Sequence, residues 1–92
     1  MSEKHVHILV SGRVQGVGFR FYVERVAQSM DLVGEVRNLG DGRVEIRAEG
    51  DEKILRSFLK KVQQGPALSH VASVSEQWSP AIGVYKRFSV TF

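Results

Sequence analysis

The fold available to this chain is restricted above all by the order in which two hydrophobic periodicities follow one another. Apolar and polar residues alternate where a strand is expected, and apolar residues recur every three or four positions where an amphipathic helix is expected. The alternation predicts strands at residues 6–10 and 43–49, and two further strands are expected at residues 32–39 and 71–78. One helix begins at Phe19, and a second is opened by residues 50–52 and ends before Gly65. The predicted order is strand, helix, strand, strand, helix, strand.

Each predicted helix has one apolar face, as expected for a helix that packs on a sheet. The two faces consist of Phe19, Val23, Val26, Ala27 and Met30 in the first helix and of Ile54, Leu55, Phe58, Leu59 and Val62 in the second. Between the second and third strands, Asp41 and Gly42 form a strong hairpin-turn signal. Later in the chain, Phe88, Val90 and Phe92 alternate with polar residues, which predicts a further short strand or an extension of the fourth.

This order of elements is that of the ferredoxin-like fold, an α+β two-layer sandwich with the pattern βαββαβ. We expect an antiparallel four-stranded sheet with the strand order 4-1-3-2 and with both helices on one face. The 92 residues are too few for separate cofactor and substrate domains. We therefore expect a single domain that spans residues 1–92.

The composition excludes several kinds of site. The chain contains no cysteine, which excludes disulfides, thiolate metal ligands and a cysteine nucleophile. Its net charge of +3 favours an anionic ligand. The first residues lack the apolar core of a signal peptide, and no apolar run approaches the ~18 residues of a membrane span. We expect a cytoplasmic protein without a membrane partner.

Residues 12–20, Gly-Arg-Val-Gln-Gly-Val-Gly-Phe-Arg, join the first strand to the first helix and have the composition of an anion-binding loop. Glycine permits positive φ and carries no Cβ, so successive backbone N–H groups can turn toward one oxyanion. The start of the helix adds unpaired N–H donors and a partial positive charge. Arg20 is unfavourable there unless an anion lies between it and the loop, so we interpret residues 12–20 as a phosphate cradle. An ordinary glycine-rich turn is the alternative.

Other common sites are not predicted by the sequence. The cradle lacks the Gly-Lys-Ser/Thr ending of a nucleoside triphosphate loop and the third glycine of a dinucleotide loop. His5 and His7 can share a strand face, but they lack a third metal ligand, and His70 is remote in the sequence. Ser11 is not part of a Gly-x-Ser-x-Gly turn. We expect neither a metal nor a cofactor.

Asn38, near the end of the second strand, is the predicted partner of the cradle. It shares the parity of Val36 and therefore lies on the helix-covered face, where its carboxamide needs hydrogen-bond partners. Because the first helix is a crossover, strands one and two run parallel, and their ends lie on one edge of the sheet, ~10 Å apart. Arg20 and a bound phosphate can span that gap. A structural role before the hairpin is the alternative for Asn38.

The cradle resembles the signature of the acylphosphatase family, Gly-x-Val-Gln-Gly-Val-x-Phe-Arg, at every fixed position. A second stretch, residues 34–45, resembles the family's Gly-aromatic-Val-x-Asn followed by Asp-Gly-x-Val-Glu. The similarity covers nearly the whole chain. Two positions depart from the pattern: Glu35 replaces the usual aromatic residue, and Asp31 replaces the usual helix-ending glycine. Both concern packing or the helix end rather than the chemistry.

The resemblance implies an enzyme that hydrolyses the carboxyl–phosphate bond of acyl phosphates to a carboxylate and inorganic phosphate, without a metal. It implies two catalytic residues: Arg20, which binds phosphate, and Asn38, which positions the attacking water. The substrate-binding residues that it implies are Gln15, Gly16, Val17, Gly18, Phe19 and Arg20. We expect a monomer that acts on a small-molecule acyl phosphate.

Two other functions match parts of the pattern. Ferredoxin-like modules also bind RNA, but their third strand carries exposed aromatic residues for base stacking. Here the alternate positions of that strand are Arg43, Glu45, Arg47 and Glu49. A carbamoyl-phosphate-handling module, like the acylphosphatase-like domain of the hydrogenase maturation carbamoyltransferase, is the closer alternative, but the zinc-binding cysteines of that protein are absent. A free-standing hydrolase without a nucleic-acid partner is therefore expected.

Overall fold

The computed structural model describes residues 3–92 and shows an α+β two-layer sandwich, in which two helices cover one face of a single sheet. The strands are β1 (Glu3–Arg13), β2 (Val33–Asn38), β3 (Val44–Asp51), β4 (His70–Pro80) and β5 (Phe88–Val90). The helices are α1 (Phe19–Ser29) and α2 (Glu52–Gln64). The predicted ferredoxin-like order of the first six elements is confirmed. Neither of these helices combines the length and apolar character needed to cross a bilayer.

The sheet has the strand order β4-β1-β3-β2-β5. The predicted order 4-1-3-2 is present within it, and those four strands pair antiparallel. One detail differs from the prediction, because β5 is a separate fifth strand that runs parallel to β2 at the edge of the sheet. β4 and β2 run in opposite directions, so the chain must reverse after β4 to form this parallel pair. Residues 81–87 make that reversal and carry the chain across the sheet.

β1 is an interior strand of the sheet and pairs with β3 on one side and β4 on the other. Apolar and polar residues alternate along β1 as predicted. Val6, Ile8 and Val10 are completely buried beneath the helices. His5 and His7, at the intervening positions, belong to the opposite face of the sheet. The core therefore lies in one layer between the sheet and the two helices.

The two helices bury one face each against the sheet. The buried residues are Phe19, Val23 and Ala27 of α1 and Leu55, Phe58, Leu59 and Val62 of α2. Val26 and Met30 are half-buried at the border of this core. The predicted apolar face of α2 is wrong at Ile54, which is 41% exposed. The buried positions of α2 follow the spacing i, i+3, i+4 and i+7, and Ile54 lies about 100° around the helix from the first of them.

The end of α1 has the hydrogen bonds of a Schellman motif. The N–H of Asp31 donates to the carbonyl of Gln28 (3.1 Å), and the N–H of Leu32 donates to that of Ala27 (3.0 Å). Asp31 has a φ of 57°, in the left-handed region that favours glycine. The backbone here thus takes the conformation of a helix-ending glycine, although an aspartate occupies the position.

Residues 81–87, the strap, lie over the sheet face that the helices leave open. Glu49, which is only 4% exposed, holds them by accepting hydrogen bonds from the N–H groups of Ile82 (2.9 Å) and Gly83 (3.0 Å). The same carboxylate lies 2.7 Å from Nδ1 of His5. Burial raises the pKa of Glu49, but these hydrogen-bonding partners outweigh burial and hold the pKa below its ordinary value.

We expect the strap to make the stability of the fold sensitive to acid. Because folding lowers the pKa of Glu49, its carboxylate contributes stability at neutral pH that is lost as the pH falls below 4.5, the ordinary value. Glu49→Gln should lower the free energy of unfolding at neutral pH by about 1–3 kcal/mol. It should also flatten the dependence of stability on pH in the acid range. Urea unfolding at a series of pH values measures both effects.

The matched control for Glu49 is Glu76→Gln, because Glu76 is an exposed carboxylate on the edge strand β4. This control should retain the stability and the acid dependence of the original protein. If Glu49→Gln loses stability on acidification as steeply as the original protein, the carboxylate of Glu49 is not the group responsible.

Candidate active site

The cradle begins where β1 ends and closes at the first turn of α1. Val14 is buried and anchors the loop to the core. Gly16 and Gly18 have φ values of 75° and 78°, which glycine adopts without strain. A Cβ built on either of these two glycines would meet no other atom within 4 Å. Their backbone therefore borders open space, as a loop that receives a ligand requires.

A pocket of about 170 Å³ lies against the cradle. It is lined by Val14, Gly16, Gly18, Phe19, Arg20, Phe21 and Asn38. The pocket brings together the start of α1 and the end of β2, as expected for two parallel strand ends on one edge of the sheet. Among the predicted site residues, Gln15 and Val17 are not part of its lining. The ring of Phe19 is buried in the core, so its backbone N–H is the group that remains for a ligand.

Arg20 occupies the first turn of α1, two residues after the N-cap residue Gly18. This turn contains no acidic residue. Within the described range 3–92, none of the recorded ion pairs includes Arg20. Its guanidinium carbon lies 5.1 Å from the ring centroid of Phe92, a cation–π contact that leaves the N–H donors available. The positive charge of Arg20 therefore stands at the pocket without a carboxylate to neutralise it.

Asn38 is the last residue of β2, opposite Val44 of β3. Its side chain lines the pocket from the helix-covered side, as its parity with Val36 predicts. Its Oδ1 atom is buried and has no hydrogen-bond partner among residues 3–92. A buried acceptor without a partner costs about 1–3 kcal/mol, and such groups are rare outside functional sites. Asn38 thus presents a free acceptor to the space beside Arg20.

Gln15 has a position that the sequence did not predict. Its Nε2 atom donates to the carbonyls of Leu39 (2.8 Å) and Arg43 (2.9 Å), at the neck of the β2–β3 hairpin. The side-chain amide therefore uses both of its hydrogens within the protein. Substrate binding through the backbone N–H of Gln15 stays a prediction. The sequence contains no local signal that would have identified these carbonyl acceptors.

Two aromatic residues at the rim of the pocket were also missed. Phe21, which lines the pocket, is 60% exposed, and Phe92, which lies over Arg20, is 95% exposed. The only available signal was that Phe21 falls outside the apolar face of α1. Together, Phe21 and Phe92 give the mouth of a cationic pocket an apolar border.

A larger pocket, of about 550 Å³, lies on the other face of the sheet beside the strap. Its lining includes His5, His7 and Arg47. These residues are paired with acids: His5 with Glu49, and the other two with Glu45. The pocket therefore lacks the free positive charge of the cradle. Within residues 3–92, no group of three or more His, Asp or Glu side chains is arranged to hold a metal ion.

Known proteins are similar to this chain over nearly its whole length. A family model described as Acylphosphatase matches residues 6–90. The acylphosphatase of Bacillus licheniformis is 45% identical over 85 residues, which cover 92% of this chain and 94% of that protein. The crystal structure of acylphosphatase from Bacillus subtilis has a TM-score of 0.94 and 44% identity, and the match covers 97% of this chain and 99% of that one.

A structure of full-length HypF in the phosphate- and nucleotide-bound form is also similar, with a TM-score of 0.86 and 30% identity. That match covers 99% of this chain but only 12% of HypF. The family model and the nearly full-length relatives agree with the cradle motif and with the fold. The chain belongs to the acylphosphatase family.

Proposed function

We propose that the cradle and Arg20 bind the phosphoryl group of an acyl phosphate and that Asn38 orients the water that attacks it. Membership of the acylphosphatase family makes the protein an acyl phosphate hydrolase, and the proposal concerns the residues that perform this reaction. The observation that carries it is that, among residues 3–92, a cation outside the ion pairs, open glycine backbone and a carboxamide oxygen without a hydrogen-bond partner meet in one pocket.

The phosphoryl oxygens are bound by groups that carry positive charge without needing a metal. The backbone N–H groups around Gly16 and Gly18 and the start of α1 donate to one side of the phosphate. The guanidinium of Arg20 is planar and can donate two parallel hydrogen bonds to two oxygens at once. These donors also match the transition state, in which the charge is spread over the equatorial oxygens of the phosphoryl group.

The chemical step is the in-line attack of water on phosphorus, which breaks the bond between phosphorus and the carboxyl oxygen. Oδ1 of Asn38 can accept one hydrogen of the water and so hold its lone pair toward phosphorus. The leaving group is a carboxylate, whose conjugate acid has a pKa of about 4, so it departs at neutral pH without a general acid. A phosphoryl oxygen accepts the second proton of the water, and no phosphoenzyme forms.

Hydrolysis by the purified protein tests this function directly. We expect phosphate release from benzoyl phosphate and acetyl phosphate but not from a phosphate monoester, whose alkoxide leaving group would need an acid. Comparable rates on a monoester would show that the pocket supplies a general acid that the proposed mechanism does not include.

Activity is expected to be independent of metal ions. Arg20 and the backbone donors can neutralise the phosphoryl charge, so treatment with a chelator followed by dialysis should leave kcat for benzoyl phosphate unchanged within about twofold. The measurement is repeated after addition of Mg²⁺ or Zn²⁺. A complete loss of turnover on chelation that the added ion restores would contradict the proposal.

A carbamoyl-phosphate substrate is the second candidate. The observation that favours it is that 99% of this chain matches a region of HypF, whose structure is described as a phosphate- and nucleotide-bound form. Carbamoyl phosphate is itself an acyl phosphate, so the same pocket could bind its phosphoryl group. Adding carbamoyl phosphate to the substrate series distinguishes the two: a preference for it over acetyl phosphate in kcat/KM would identify the carbamoyl module.

We further propose that residues 1–92 form one cytoplasmic domain that acts as a monomer. The cradle, Arg20 and Asn38 all belong to one chain, which supports a site that needs no second subunit. We also propose that no nucleic acid binds the open sheet face. In support, the alternate charged residues of β3 are paired there, with Glu45 accepting from Arg37 and lying against His7. Sedimentation analysis of the purified protein tests the monomer.

A further inference from the structure

The side chain of Gln15 connects the cradle to the hairpin that carries Asn38. Its amide hydrogens reach the carbonyls of Leu39 and Arg43, one on each side of the hairpin. The same two carbonyls accept the hairpin's own hydrogen bonds, from the N–H groups of Gly42 (3.3 Å) and Leu39 (2.8 Å), respectively. Gln15 thus ties both sides of the hairpin neck, immediately after Asn38.

Within residues 3–92, these are the recorded side-chain hydrogen bonds that join residues 12–20 to residues 38–43. No recorded ion pair makes the same connection there. We propose that Gln15 is a positioning residue: it holds the hairpin, and therefore Asn38, at a set distance from the phosphate bound in the cradle. This inference rests on the proposed role of Asn38 and assigns the side chain of Gln15 to positioning, while substrate binding through its backbone stays a prediction.

The geometry explains why positioning is needed. Oδ1 of Asn38 has no hydrogen-bond partner in the described part of the chain, residues 3–92, so no hydrogen bond there fixes where it points. Its position follows from the backbone of β2, and Leu39, the next residue, is the one that Gln15 binds. A displacement of about 1 Å between a nucleophile and its target can lower a rate by about 10²-fold. Phosphate binding depends instead on the cradle and Arg20, so it does not require the hairpin to be held.

Gln15→Met removes both donors while keeping an unbranched side chain of similar length. We expect kcat for benzoyl phosphate to fall about 10-fold or more, while the Ki of inorganic phosphate as a competitive inhibitor changes less than about twofold. The matched control is Gln28→Met, because Gln28 also donates to a backbone carbonyl, that of Phe88 (3.1 Å), but away from the pocket. The control should keep its kcat even if its melting temperature falls as much as that of Gln15→Met.

A double variant identifies the residue through which Gln15 acts. If Gln15 works by placing Asn38, then Gln15→Met should cost little further activity in a protein that already carries Asn38→Ala. Losses that multiply in the double variant would overturn the inference. A Ki for phosphate that rises in step with the loss of kcat would also overturn it, because Gln15 would then contact the substrate. An unchanged kcat in folded Gln15→Met would do the same.

Hydrogen exchange provides a readout that does not depend on turnover. Because Gln15 holds the carbonyl that also accepts from the N–H of Leu39, exchange at Leu39 should be faster in Gln15→Met than in Gln28→Met. If circular dichroism shows that Gln15→Met is unfolded, Gln15→Asn serves in its place, because it keeps the amide but is one methylene too short to span both carbonyls. Asn38→Ala assayed alone separates the two proposals. Normal turnover in Asn38→Ala would refute the water-orienting role of Asn38. Normal turnover in the Gln15 variants would refute only the positioning role of Gln15.

Discussion

Arg20→Ala is expected to lower kcat/KM for benzoyl phosphate about 10³-fold, with losses in both substrate binding and kcat. The guanidinium contacts charge that is present in the substrate and is redistributed in the transition state, so both states lose a charge-assisted pair of hydrogen bonds. Inhibition by inorganic phosphate should weaken as well, because the product carries the same oxygens. Steady-state kinetics with phosphate as a competitive inhibitor measure each part of the loss.

Arg20→Lys separates geometry from charge. An ammonium keeps the charge but cannot donate two parallel hydrogen bonds, so this variant should remain poorly active. Arg25→Ala, which removes an exposed arginine from the same helix, is the control for the change in net charge and should retain activity. A lysine variant with near-normal kcat/KM would show that Arg20 contributes only a diffuse positive field.

Asn38→Ala is expected to lower kcat about 10²-fold or more while leaving the affinity for phosphate nearly unchanged. The carboxamide is proposed to orient water rather than to hold phosphate, so its removal should affect the transition state alone. A loss of this kind appears in kcat and kcat/KM alike. The same two measurements, benzoyl phosphate turnover and phosphate inhibition, test it.

The alternative for Asn38 is a structural role before the hairpin, and controls must separate it from catalysis. Circular dichroism and the melting temperature show whether Asn38→Ala is folded. Arg37→Ala changes the neighbouring residue of β2, whose side chain pairs with Glu45 on the opposite face, and should keep its kcat. A folded Asn38→Ala that retains turnover, or that loses phosphate affinity in proportion to its rate, would exclude the water-orienting role.

The parts of the fold that were predicted correctly depend on local rules. β1, β3 and both helices follow from periodicity, because each of them buries one face. The placement of Asn38 on the helix-covered side followed from its parity with Val36, since a strand alternates its faces at every residue. The glycines of the cradle likewise have the positive φ values that their position between strand and helix indicated.

The parts that were missed depend on contacts between distant residues. The strap is held by Glu49, which in the sequence looks like another polar position of an alternating strand. The parallel pairing of β5 with β2 requires the chain to reverse its direction in residues 81–87. The three residues of β5 carry too little of a pattern to predict this pairing. Gln15 matched the family motif. That match indicates that the residue is important, but it does not identify the backbone carbonyls to which the side chain donates. Ile54 was misplaced because an apolar residue at the border of a helical stripe satisfies the pattern equally well.

The pairing of β1 on both of its edges has a consequence for folding. Its residues pair with partners far along the chain. Lys4, for example, lies opposite Gly50 of β3 on one side and opposite Pro80 of β4 on the other. Such non-local pairing makes a fold slow to form, because long loops must close before any pair is stabilised. The residues of the pocket lie between positions 14 and 38, but β1, the strand that leads into the cradle, is held by these long-range pairs. If β4 were not yet paired during folding, all residues that line the pocket could already be in place. One edge of β1 would then still lack the strand that supports it and the cradle that follows it.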